Sequence, residues 1–125
     1  MHRETHHDAA VALLRAHGEA PLATTNHVRG ETWTFVRRRS GHRSAVHFLD
    51  FLERSPRIEV LQIDDEHERD ALRWLRRHDE REYSFVDATS FAVMRRRRIR
   101  EALAFDGDFT AAGFVELRVA SRPAC

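Results

Sequence analysis

Between Asn26 and Arg39 the residues Val28, Thr32, Phe35 and Val36 recur at i, i+4, i+7 and i+8, the stripe of a helix with one inward face. Asn26 stands where an N-cap belongs, and Glu31 falls on the same stripe, three residues after Val28 and four before Phe35. Upstream, Thr5 to His17 carries Ala9, Val11, Leu13 and Leu14 at looser helical spacing and is closed by Gly18, after which Pro21 to Thr24 reads as a short strand. Beyond Gly41, the spacing of Ala45, Phe48, Leu49 and Leu52 predicts a helix that ends before Pro56, and the β-rich run Ile58 to Ile63 predicts a strand. Asp64 or Asp65 caps a third helix whose buried side holds Ala71, Leu72 and Leu75.

Ser84-Phe85-Val86-Asp87 has the form of a capping box and opens a helix carrying Ala88, Phe91, Ala92 and Met94. Ala102 to Phe105 is a continuous apolar run of strand length, as in a strand covered on both faces, and it ends in Asp106-Gly107. A helical turn closed by Gly113 then leads into Phe114 to Val119, where Val115, Leu117 and Val119 alternate with Glu116 and Arg118 as on an edge strand. Helices alternating with short strands predict an α/β domain with a parallel sheet, one domain over residues 1–125. The longest apolar run, Ala9 to Leu14, falls far short of the roughly 20 residues of a membrane span, and the single cysteine, Cys125, fits a reducing cytoplasm.

All 21 basic side chains other than histidine are arginines, and against 20 acids they leave a formal net charge of +1. Affinity for a polyanion must therefore come from charge gathered on one face, and Arg37-Arg38-Arg39 and Arg95-Arg96-Arg97-Arg98 are the candidates. The alternative for each run is a solvated helix end that complements the helix dipole. Ligands of open α/β sheets bind at the carboxyl ends of strands, which singles out Asp106, with Asp87 at a helix start and Glu31 on an apolar stripe. Three carboxylates drawn into one crevice repel one another, and a hard divalent cation with oxygen ligands, Mg²⁺ or Mn²⁺, relieves that repulsion. Such an ion points to metal-assisted phosphodiester hydrolysis. Capping for Asp87, turn formation for Asp106 and pairing of Glu31 with Arg29 or Arg38 are the structural alternatives. The nine histidines show no HExxH or close zinc spacing and read as surface residues, and no Gly-rich phosphate loop is present.

The segments Ala23-Thr24-Thr25-Asn26-His27-Val28-Arg29-Gly30-Glu31-Thr32, Tyr83-Ser84-Phe85-Val86-Asp87-Ala88-Thr89-Ser90-Phe91 and Ala102-Leu103-Ala104-Phe105-Asp106-Gly107-Asp108-Phe109, followed by Gly113-Phe114, resemble the PIN-domain ribonucleases. Within that superfamily they are most similar to the VapC toxins of bacterial toxin–antitoxin pairs, over about His6 to Leu117. The resemblance implies a parallel sheet flanked by helices, a cluster of about four acids holding Mg²⁺ or Mn²⁺, and endonucleolytic cleavage of RNA. It makes Glu31, Asp87 and Asp106 the catalytic, metal-holding acids and Asp108 an additional outer ligand. Ser90, with Thr25 and Asn26, becomes a supporting residue, and Arg95 and Arg96 become RNA-binding residues. A homodimer and a cognate antitoxin protein that covers the active-site groove are implied as well.

Members of that family open with a central strand ending in an Asp-[ST]-[SA] element, whereas this sequence starts at the helix that follows it. The expectation is therefore a PIN-like domain over residues 1–125, N-terminally truncated relative to the family, without the first strand and one metal-ligand aspartate, and feebly active at most. Two further roles remain open at this point: a catalytically inactive toxin fragment that only binds antitoxin, and a non-toxin RNA-processing nuclease of the same fold.

Overall fold

Leu22–Thr25 forms strand β1 and passes without a loop into helix α1, Asn26–Ser40, because Thr25 is extended and its hydroxyl accepts the Val28 N–H at 3.0 Å. The cap is thus Thr25 and not Asn26. The computed structural model describes residues 21–103 and 107–116, which fall into two compact units, one up to residue 93 and one from residue 94 onward. The predicted first helix, Ala104 to Asp106, and the strand beyond Glu116 lie outside the described residues.

In the first unit Gly41, at φ 91°, closes α1 with its N–H on the Arg37 carbonyl, and α2 follows as His42–Arg54. Packed α1 and α2 lead into strand β2, Ile58–Leu61, which pairs with β1 in parallel, in register from Leu22↔Ile58 to Thr25↔Leu61. Parallel pairing demands such a crossover, and the two helices supply it. The predicted strand ran on to Ile63. It stops at Leu61, and two residues later the Ile63 N–H donates to the Asn26 Oδ1 at 2.7 Å instead of to a neighbouring strand.

Asp64 caps α3, Asp65–Arg77, with His67 completing a reciprocal box: the His67 N–H donates to Asp64 Oδ1, and the Asp64 N–H donates to His67 Nδ1, both at 3.1 Å. Of the predicted inward residues, Ala71 is fully buried and Leu75 half-buried, but Leu72 is 44% exposed. The indole of Trp74 fills that role. Ala71, Ala88 and Ala92 form a small-residue cluster against which Trp74 and Leu75 pack. The Trp74 ring meets Phe91 edge-on at 5.0 Å and Tyr83 at 4.6 Å, and stacks on His78 at 4.2 Å. Each such contact contributes about 0.5–1.5 kcal/mol beyond burial. Glu80 fastens the connection that follows α3 by accepting from Tyr83 Oη at 2.9 Å and lying 3.1 Å from His78 Nδ1. Its own backbone hydrogen bond, then Tyr83 and His78, hold its carboxyl below the ordinary carboxylate value.

Helix α4, Phe85–Arg97, runs through both units, and residues 88–94 are buried without interruption. Its last turn closes through Arg98, whose N–H bonds the Arg95 carbonyl while the Ile99 N–H bonds that of Met94. This is a Schellman end with arginine at φ 58°, where glycine is usual. In the second unit β3, Glu101–Ala102, pairs in parallel with β4, Val115–Glu116, across the short helix α5, Asp108–Ala111. The predicted alternation is inverted there: Val115 is 54% exposed and Glu116 is buried.

An L side chain in the left-handed region costs roughly 1–2 kcal/mol, partly offset in a glycine variant by the greater entropy of its unfolded chain. Arg98→Gly is therefore expected to raise unfolding free energy by about 0.5–1 kcal/mol, read from the midpoint of urea denaturation.

Candidate functional site

Asp87 sits in the first turn of α4, held by the box that the sequence predicted. The Ser84 N–H donates to Asp87 Oδ2 and the Asp87 N–H donates to Ser84 Oγ, each at 3.0 Å. Carboxylate charge at that point is favoured by the partial positive charge of the helix start. Asp87 is half-buried, and Ser90, one turn on, is 7% exposed.

Glu31 lies in the second turn of α1 and is exposed. The expectation that it turns toward the core edge is corrected: no residue of α1 is fully buried, so its stripe of Val28, Phe35 and Val36 is only half-covered and leaves Glu31 open to water. Asp106 lies outside the described residues. Asp108 begins α5 in the other unit, half-buried. Among the described residues no three acidic, histidine or cysteine side chains gather within reach of one ion. The acids named from sequence offer oxygen donors only, the kind that suits Mg²⁺ or Mn²⁺.

The supporting residues brace the backbone. Thr25 is 4% exposed, with its hydroxyl capping α1, and the Asn26 amide oxygen holds Ile63. His27, read from sequence as a surface histidine, has a side chain only 22% exposed. Its Nδ1 is 3.2 Å from the hydroxyl of fully buried Thr89, its Nε2 is 3.8 Å from Glu68 Oε2, and its ring lies 6.0 Å from that of Phe85. Sequence gave no sign of this, since each partner is distant along the chain.

The basic run divides. Arg95 Nη2 donates to the Ala112 carbonyl at 2.8 Å and its guanidinium lies 5.0 Å over the Phe114 ring; desolvation lowers its pKa from the ordinary value. All four arginines, Arg95 to Arg98, are exposed. Glu116, which the alternation placed outward, turns both carboxylate oxygens inward: Oε1 accepts from the Gly107 N–H at 3.3 Å and Oε2 from the Thr110 N–H at 2.9 Å. It thereby organises the start of α5, beside Asp108.

Arg95→Ala removes a charge-assisted bond and a cation–π contact, and is expected to destabilise the protein by about 1–2 kcal/mol. Arg96→Ala is expected to stay within about 0.5 kcal/mol of the parent when both variants are compared by thermal unfolding.

Residues 1–115 match the PIN domain as a family. The 23S rRNA-specific endonuclease VapC20 of Mycobacterium tuberculosis, from strains CDC 1551 / Oshkosh and ATCC 25618 / H37Rv, is 59% identical over 97 residues, which is 78% of this chain and 73% of the relative. The crystal structure of Mycobacterium tuberculosis VapC20, described as a sarcin–ricin loop cleaving toxin, matches with a TM-score of 0.77 and 55% identity, covering 85% of this chain and 81% of that one.

Proposed function

The chain belongs to the PIN-domain family and is of the VapC type, and on that footing we propose that it is an endoribonuclease toxin that cleaves a phosphodiester bond in the sarcin–ricin loop of 23S rRNA. The observation that carries this reading is the 59% identity over 97 residues to an endonuclease of that specificity. Glu31, Asp87 and Asp106 are the carboxylates assigned to Mg²⁺ or Mn²⁺, with Asp108 as an outer ligand. A divalent ion bound by them supplies a water of lowered pKa and neutralises charge on the scissile phosphate.

The remaining work falls to groups of this chain. Ser84 holds Asp87 oriented at the start of α4, and Thr25 and Asn26 fix the beginning of the helix that carries Glu31. Ser90 supports Asp87 from one turn away. Arg96 is exposed and is assigned to the RNA backbone; Arg95, exposed as well, joins it in binding while also bracing Ala112 and Phe114. The protein acts in the cytoplasm, where ribosomal RNA lies, as a homodimer silenced by a cognate antitoxin protein. Among the described residues no helix is long and apolar enough to cross a membrane.

Cleavage of a sarcin–ricin-loop RNA by the purified chain is expected to vanish with EDTA and to return with Mg²⁺ or Mn²⁺. Asp87→Asn and Asp106→Asn are expected to lower the rate by roughly 10²–10³ while leaving the far-ultraviolet circular dichroism unchanged. A cleavage rate that survives both substitutions would overturn the carboxylate assignment.

A further inference from the structure

We propose that His27 is a positioning residue of the nuclease site, fixing the rotation of α4, and so the heading of Asp87, against the start of α1; this rests on the reading of Glu31 and Asp87 as metal-holding carboxylates. The bond between His27 and Thr89 is directional. Thr89 Oγ1 donates its own proton to the Val86 carbonyl at 3.0 Å, which leaves a lone pair of that oxygen for the hydrogen on His27 Nδ1. Nδ1 therefore carries the hydrogen that Thr89 Oγ1 accepts, and Nε2 lies 3.8 Å from Glu68 Oε2, beyond hydrogen-bond distance. One imidazole thus ties its own helix, α1, to α4 through Thr89.

The placement of this bond gives it leverage over the acids. Thr89 is fully buried and lies two residues beyond Asp87, about 200° around the helix axis, so pinning Thr89 sets which way the opposite side of α4 is turned. His27 lies one turn before Glu31, so the same bond references α4 to the helix that carries the second acid. Two like charges destined for one ion push their helices apart before the ion arrives, and a partly buried hydrogen bond between those helices opposes the separation. The ring of Phe85, 6.0 Å away, partly covers the imidazole from the first residue of α4.

The experiment measures Mn²⁺ affinity of the full chain without RNA by titration calorimetry, and single-turnover cleavage against RNA affinity. His27→Ala and Thr89→Val are each expected to weaken Mn²⁺ binding and to slow cleavage by about 10–100-fold with RNA affinity unchanged, and the double variant to be no worse than the weaker single one. Asn places an amide N–H where Nδ1 stands, and Gln places it near Nε2. His27→Asn is thus expected to recover both quantities, while His27→Gln does not, although both variants are polar and similarly folded. Additive losses, or Asn and Gln behaving alike, would overturn the proposal. Mn²⁺ affinity unchanged in His27→Ala but lost in Asp87→Asn would overturn the role of His27 alone. Affinity unchanged in Asp87→Asn would overturn the metal assignment and this inference with it.

Discussion

Three consecutive side chains at the junction of β1 and α1 hold the first unit in register. Thr25 caps its own helix, Asn26 takes the N–H of Ile63 beyond β2, and His27 bonds Thr89 on α4. Each is a polar group buried or half-buried, and such groups cost free energy unless their partners are in place. Among the described residues no buried side-chain nitrogen or oxygen lacks a partner. The polar junction therefore specifies one arrangement of strand and helices, where apolar contact alone would tolerate several.

Around that junction the core is modest in volume. Ala71, Ala88 and Ala92 bring little bulk, and Trp74 with Phe91 and Tyr83 supplies the filling. This division suits a helix that must serve two purposes. The interior of α4 is buried from Ala88 to Met94, while its first turn carries the Asp87 box and its last turn ends in exposed arginines. Charge at each end agrees in sign with the helix dipole, so the same placement that stabilises the helix presents an acid at one end and cations at the other.

In the second unit, ionisable side chains, one buried and one exposed, organise a short segment that has little apolar material. The Glu116 carboxylate gathers the N–H groups of Gly107 and Thr110, and Arg95 covers Phe114 while holding the Ala112 carbonyl. Both side chains are ionisable, yet both hold backbone geometry next to the stretch that bears Asp106 and Asp108. An arginine in a basic run and a glutamate in an alternating strand thus have structural duties that their composition conceals.

Capping boxes, helix stripes and strand runs were legible in the sequence because their determinants are local. Ser84 with Asp87, Asp64 before α3, Gly41 after α1 and Pro56 after α2 act within a few residues, and the element order follows from them. The ordered acids and their flanks likewise identified the family. Packing decided the rest. The burial of Glu116 over Val115 depends on which face of a two-residue strand is covered, and a one-residue shift of phase inverts it. Exposure of Glu31 and Leu72 depends on how much of each helix a neighbour reaches. The link from His27 to Thr89 spans 62 residues, and no periodicity along the chain encodes a hydrogen bond between groups that only the fold brings within 3.2 Å.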